Sequence, residues 1–101
     1  MQKNTKIQIP TSIPIHFLRE RDSFVAYSPV LDLSTCGRTL EEARTNFSEA
    51  LDIFFEECTA MGTLEKVLES LGWEKKRGSK QWLPPVQVHE ETIKLPEFAF
   101  A

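Results

Sequence analysis

The sequence predicts an α+β domain: a three-stranded antiparallel sheet with one long helix packed on a face (β-β-β-α), then a second short helix and C-terminal strands. Two observations lead to this class. Apolar residues alternate at a spacing of two in the first third of the chain, which is typical of half-buried strands. Apolar residues then recur at spacings of three and four from about Leu40 to Met61, which is typical of an amphipathic helix.

The length and charge limit the kind of protein this is. The 101 residues suffice for one small domain, interpreted as a core over 6–72 and a C-terminal strand extension over 73–101. The net charge of −3 gives no overall basic character of the kind that nucleic-acid binding favours. One cationic cluster, at residues 75–80, is interpreted as a solvated turn, with a phosphate contact as the alternative.

The cysteines and the apolar runs bear on the cell compartment and on metal binding. Cys36 and Cys58 have no Cys or His partner at zinc-ligand spacing, and both are predicted to be small buried thiols. No apolar run approaches the roughly 20 residues of a membrane helix, and the first five residues lack the apolar core of a signal peptide. We therefore expect a cytoplasmic protein with no membrane contact, no cofactor and no metal site.

The strands are predicted in chain order. The first covers Ile7 to Phe17, at a sheet edge or with a bulge, because Pro10 and Pro14 cannot donate to a ladder. The charged run 19–23 predicts the following hairpin turn. The second and third strands are predicted at Phe24–Ser28 and Leu33–Cys36, and Gly37 closes the third.

The long helix has recognisable start and stop signals. Thr39 can accept a hydrogen bond from the N–H of Glu42, whose side chain can reach back to the N–H of Thr39. Gly62 is placed to end the helix in the left-handed conformation, and Thr63 to cap a second helix that runs through Leu71. The predicted buried stripe consists of Leu40, Ala43, Phe47, Ala50, Leu51, Phe54, Cys58 and Met61.

The last thirty residues read as a hairpin and further strands. Trp73 and Trp82 flank the cationic turn, and they either close the hairpin against each other or anchor an oligomer contact, since large aromatic residues are enriched at interfaces. Short alternating strands are predicted at Val86–His89 and Thr92–Leu95. The candidate oligomer-interface residues are Trp73, Trp82, Val86, Val88, Phe98 and Phe100.

Part of this pattern resembles a known family. The residues that carry the resemblance are Phe24–Pro29, Leu33–Gly37, Thr39–Ala43 and Glu49–Leu51. In this order and spacing they resemble the HicB family of antitoxins, whose N-terminal domain is a partial RNase H-like fold. The resemblance implies an antitoxin that binds a small mRNA-cleaving toxin protein, covers its active site, and assembles as a dimer or tetramer.

The chain departs from the family after Gly72. Many relatives carry a C-terminal DNA-binding segment, but no two-helix pattern with a recognition helix follows here. We therefore expect a short form that does not bind DNA by itself. The candidate toxin-binding residues lie in the turns around the third strand and are Ser28, Leu31, Asp32 and Arg38.

Two alternatives stay open on the sequence. One is an oligomeric HicB-like scaffold with no toxin partner, in which the C-terminal strands are exchanged or paired between subunits. The less favoured one is a metal-dependent nuclease, which needs several carboxylates converging on strand ends. Here Asp22 and Asp32 lie in turns, and Glu42, Glu49 and Glu56 form a solvated helical stripe, so we expect no enzyme activity.

Overall fold

Three consecutive strands and a long helix form the first part of the fold, and a short helix and a small hairpin complete it. The computed structural model describes residues 7–97. The elements are β1 (His16–Glu20), β2 (Ser23–Ser28), β3 (Leu33–Gly37), α1 (Leu40–Met61), α2 (Leu64–Ser70), β4 (Glu74–Lys75) and β5 (Trp82–Leu83). Strands β1, β2 and β3 make one antiparallel sheet in that order, and β4 pairs antiparallel with β5. The predicted α+β class is confirmed.

Strand β2 lies in the centre of the sheet, and its alternating side chains define an inner face that α1 covers. Ala26 is opposite Phe17 of β1 and Thr35 of β3, so these three side chains share that face. Ala26 is buried in one cluster with Ala43 and Phe47 of α1. Thr35 Oγ1 also donates a hydrogen bond to the Ala43 carbonyl oxygen at 3.3 Å. The helix is therefore held to the sheet by both packing and a polar contact.

Helix α1 begins and ends where the sequence predicts, but one hydrogen bond at its start has a different partner from the predicted one. Thr39 Oγ1 accepts from the N–H of Glu42 at 3.0 Å, as predicted. The Glu42 carboxylate, however, accepts from the N–H of Arg38 at 2.6 Å, one residue before the predicted partner. Thr39 has an extended conformation, which brings this preceding amide within reach. Gly62 ends the helix at φ 69°, whereas Thr63 makes no side-chain hydrogen bond at the start of α2.

The predicted first strand is only partly correct. Strand β1 begins at His16 and runs to Glu20, so the hairpin turn shortens to Arg21 and Asp22. Arg21 has a positive φ of 57° in this tight turn. The prolines before His16 remove two backbone donors, which explains why regular pairing starts later than the alternation of apolar residues suggested.

The segment before β1 instead contacts the C-terminal hairpin. Gln8 pairs in parallel with Gln81. Its N–H donates to the Lys80 carbonyl oxygen at 2.9 Å, and its carbonyl oxygen accepts from the Trp82 N–H at 2.8 Å. The chain therefore ties its first described residues to β5.

A second core lies under that hairpin. It comes from the crossover between β2 and β3, from α2 and from the hairpin, and its buried residues are Val30, Leu31, Leu68, Trp73 and Trp82. We call this set the tryptophan cluster. The partly buried Leu33 and Leu51 pack against both this cluster and the Ala26 cluster, so the two cores are continuous.

The C-terminal strands are confirmed only as the β4–β5 hairpin. The strands predicted at Val86–His89 and Thr92–Leu95 are absent, because residues 84–96 have neither helix nor strand. An isolated alternating run cannot form a strand without a neighbour that takes up its backbone hydrogen bonds. Within residues 7–97, no helix has the length and the apolar character needed to cross a membrane.

Gly37 sets the distance between β3 and α1. A Cβ at this position would lie 2.5 Å from the backbone nitrogen of Ala43 and 2.8 Å from the carbonyl carbon of Glu42. Real Cβ atoms do not approach backbone so closely, so any larger residue would push the first turn of α1 off the sheet. The close packing of the helix start therefore needs glycine.

We expect Gly37→Ala to lower the free energy of unfolding by about 3 kcal/mol, because the extra methyl overpacks against helix backbone. Urea unfolding followed by circular dichroism measures it. Gly62→Ala is the matched control, since Gly62 has φ 69° and open space around it. We expect this control to lower the free energy of unfolding by only about 1 kcal/mol, because alanine is strained in the left-handed conformation but meets no neighbouring atom. Equal losses for the two variants would contradict the close-approach explanation.

Candidate protein-binding surface

The side of the sheet opposite α1 carries exposed side chains of β1 and β3. Because strand side chains alternate, the residues between the inner-facing ones point to this side. The strand register places Leu18, Val25 and Cys36 in one row across the sheet, and His16, Tyr27 and Ser34 in the next. We call these six residues the open sheet face.

The open sheet face combines an apolar centre with polar neighbours. Leu18 is 52% exposed although it is a large apolar side chain. Val25 beside it is half-buried, and Cys36 at the other end of the row is exposed. A shallow depression on this side is lined by residues of all three strands, including Glu20 and Ser34. An apolar centre within a polar rim is the usual composition of a protein-binding patch.

One corner of this face is fixed by a hydrogen bond between two side chains. The Tyr27 hydroxyl donates to Asp32 Oδ1 at 3.1 Å. Asp32 has a positive φ of 52°, a conformation that aspartate tolerates better than most residues. The hydrogen bond to Asp32, with smaller effects of burial and of the nearby negative charge, raises the pKa of Tyr27 above its ordinary 10.0.

The four predicted toxin-binding residues fall into two groups. Ser28 and Leu31 are buried, and Ser28 Oγ accepts from the Leu31 N–H at 3.2 Å within the turn. Their side chains shape the turn and have almost no surface to offer a partner, which corrects the expectation of direct contact. Asp32 and Arg38 are exposed at opposite ends of β3. A role in toxin contact stays a prediction for these two.

The predicted oligomer-interface residues also separate by exposure. Trp73 and Trp82 are buried inside the protomer, in the tryptophan cluster, so their rings are taken up by packing within one chain. Trp73 Nε1 donates to the Val30 carbonyl oxygen at 2.8 Å. Val86 and Val88, in contrast, are well exposed. Phe98 and Phe100 lie outside the described residues.

The apolar centre of the open sheet face was missed by the sequence analysis, which took Cys36 to be buried. Cys36 is exposed, and Cys58 on α1 is half-buried. The available signal was the pair of adjacent apolar residues Phe17 and Leu18. Adjacent strand residues must lie on opposite faces, so two apolar neighbours indicate that both faces carry apolar surface.

The acidic residues of α1 lie on its exposed side. The helix residues Glu42, Glu49 and Glu56 are exposed, as expected for a solvated stripe. Glu41 pairs with Arg44 at 3.1 Å on the exposed side of α1, and the Arg44 guanidinium also lies 5.2 Å from the centre of the Phe17 ring. Between residues 7 and 97, no three His, Cys, Asp or Glu side chains are grouped as a metal ion would require.

Comparisons of the chain with protein-family models, with curated proteins and with solved structures found no match.

The two tryptophans allow a direct measurement of one buried hydrogen bond. Trp73→Phe should lower the free energy of unfolding by about 1–3 kcal/mol more than Trp82→Phe, because it leaves the buried Val30 carbonyl without its donor. Trp82 is the matched control, since its buried Nε1 has no hydrogen-bond partner within the described chain. Chemical denaturation of both variants measures the difference, and a larger loss for Trp82→Phe would contradict it.

The Tyr27–Asp32 contact predicts a titration behaviour. Tyr27 is the single tyrosine of the chain, so the near-ultraviolet absorbance of tyrosinate reports this residue alone. Asp32→Gly should lower the pKa of Tyr27 towards 10.0, because it removes the carboxylate. Glycine is chosen because it adopts the positive φ of this position without strain. Asp22→Gly, in the β1–β2 turn, should leave it unchanged.

The Tyr27–Asp32 hydrogen bond also predicts how the stability of the protein changes with pH. The folded protein holds the Tyr27 proton more tightly than the unfolded chain does, since its pKa is raised above 10.0. The stabilisation from this group is therefore present below about pH 10 and is lost as the pH rises through the folded pKa. A pKa of Tyr27 that does not respond to Asp32→Gly would contradict the assignment.

Proposed function

We propose that this protein is a HicB-like antitoxin that binds and neutralises a small mRNA-cleaving toxin protein, and that it has no catalytic activity of its own. The observation that carries the proposal is the agreement between motif and structural unit. The residues that resemble the HicB family all fall on β2, β3, α1 and their connections. Gly37 and Thr39, two of the motif residues, make the close contact and the cap that join the strands to the helix.

The open sheet face is the surface that we assign to the toxin. Leu18 and Val25 supply apolar area at its centre, and His16, Tyr27 and Ser34 supply hydrogen-bonding groups beside it. The hydrogen bond from Tyr27 to Asp32 orders the corner of this face before any partner binds. A surface that is already ordered loses less conformational entropy on binding, which favours affinity.

The charge of the protein suits a basic partner. The net charge is −3. Six of the acidic residues lie on α1, on the other side of the sheet from the open sheet face, so they act on a partner through the overall field of the protein and not at the contact itself. A protein that binds and cuts RNA needs positive surface to attract phosphates. Complementary charge speeds the encounter of two proteins and limits their relative orientations. These charges support an RNA-cleaving toxin as the partner more than a neutral or acidic protein.

The test is co-expression with the product of the neighbouring gene, followed by co-purification and an RNA-cleavage assay. We expect the wild-type protein to co-purify with that product and to suppress its cleavage of RNA. Ser34→Arg, which places a bulky charge on the open sheet face, should weaken binding at least tenfold, or about 1.4 kcal/mol. Ser48→Arg is the matched control, since Ser48 is exposed on α1.

Two results would refute the proposal. One is a neighbouring gene product that neither binds the protein nor cleaves RNA. The other is equal binding by Ser34→Arg and Ser48→Arg, which would remove the open sheet face as the docking surface. Reproducible RNA cleavage by the purified wild-type protein would instead favour the nuclease alternative.

A further inference from the structure

The last part of the described chain lies outside both cores. We call residues 84–97 the C-terminal arm. Its residues 84–96 form no helix or strand, and from Pro85 onward every side chain is exposed. The described molecule measures 61 × 30 × 21 Å, although its longest helix spans only about 33 Å.

The arm carries apolar side chains at strand spacing. Val86 and Val88 are 78% and 90% exposed, and Ile93 and Leu95 are 72% and 60% exposed. Single exposed apolar residues are common on protein surfaces, but a run of them within one segment indicates a binding surface. Within each pair the spacing is two, so both members would lie on the same face of an extended strand.

The same chain offers a free sheet edge. Strand β1 pairs with β2 on one side, and within residues 7–97 no strand pairs with its other side. All five β1 side chains are exposed, and Leu18 among them is apolar. The segment has no proline and no bulge, two of the devices that usually protect an edge from pairing. At the other edge of the sheet, Asn46 Nδ2 already donates to the carbonyl oxygen of Cys36 in β3.

We propose that the C-terminal arm of one copy adds as a fourth strand beside β1 of a second copy, and that the second copy returns the same contact. Each chain has one unpaired segment with strand-like spacing and one unpaired sheet edge. When two copies exchange these segments, both contacts are the same and the dimer is closed by two-fold symmetry. The arm has an acidic excess, with Glu90, Glu91 and Glu97 against Lys94, whereas the β1–β2 hairpin has no net charge because Arg19 and Arg21 alternate with Glu20 and Asp22. The pairing therefore depends on backbone hydrogen bonds and apolar contacts, not on charge. A small domain also gains stability when it buries more surface by oligomerisation.

This arrangement is independent of the proposed function. A strand added at the edge of β1 continues the sheet sideways and leaves the open sheet face uncovered. Leu18 belongs to both surfaces, so the arm substitutions, which lie outside the open sheet face, are the variants that separate dimer formation from toxin binding. A protein that dimerises through the arm without any toxin partner would correspond to the scaffold alternative.

The test measures molar mass by light scattering across a dilution series. The wild-type chain should have a molar mass of twice 11.6 kDa. Leu18→Lys on β1, and the double substitution of Val88 and Ile93 by Glu in the arm, should each weaken the dimer at least tenfold. Ile53→Lys on α1 is the matched control, because Ile53 and Leu18 are both 52% exposed and receive the same charge.

Mixing distinguishes exchange of the arm from any other dimer. The Leu18→Lys chain keeps an intact arm, and the double Glu variant keeps an intact edge, so a mixture of the two should form a heterodimer through one good contact. Native mass spectrometry of the mixture detects it. Circular dichroism checks that each variant is folded, and a variant that is not folded is replaced by Leu18→Thr or Val88→Ser with Ile93→Ser.

Three outcomes would overturn the proposal. The first is a wild-type protein that is monomeric throughout the dilution series. The second is a dimer that Ile53→Lys weakens as much as Leu18→Lys does. The third is a mixture without heterodimer at concentrations where the wild type is fully dimeric. None of these outcomes bears on toxin capture, which the Ser34→Arg comparison tests separately.

Discussion

The close contact between α1 and the inner face of the sheet is the constraint on which the rest of this structure depends. The contact is made by small residues, with Gly37 and Ala26 on the strands and Ala43 on the helix. Small side chains let the helix start lie almost directly on β3, where Thr35 reaches the Ala43 carbonyl oxygen. The helix covers one face of the sheet, and the opposite face stays available.

The second core extends this unit and has a different origin. The tryptophan cluster draws residues from the crossover after β2, from α2 and from the hairpin, and Gln8 adds the N-terminal segment through two backbone hydrogen bonds. Leu33 and Leu51 belong to the surroundings of both cores. A domain of this size buries a modest share of its surface. Joining two small cores increases the apolar area that is buried and so stabilises the fold.

The sequence predicted local elements well and long-range contacts poorly. The bounds of α1 followed from Thr39, Gly62 and the apolar stripe between them, because caps and periodicity are local properties. No local pattern indicated the pairing of Gln8 with Gln81, since that contact joins segments more than seventy residues apart. The strands predicted in the C-terminal arm did not form for the same reason, because alternation specifies a strand only when a neighbour is present.

In the candidate site, alternation placed Tyr27 on the face opposite Ala26. The burial of Ser28 and Leu31 depended on the tertiary packing of their turn.

The distribution of aromatic residues has a practical consequence for spectroscopy. Both tryptophans of the chain belong to the same cluster, and the Ala26 core contains Phe47 but no indole. Intrinsic fluorescence therefore reports mainly on loosening around α2 and the C-terminal hairpin, and less on the contact between the start of α1 and the sheet. Emission and far-ultraviolet ellipticity, recorded together, report whether the two ends of this small molecule melt as one cooperative unit or in succession.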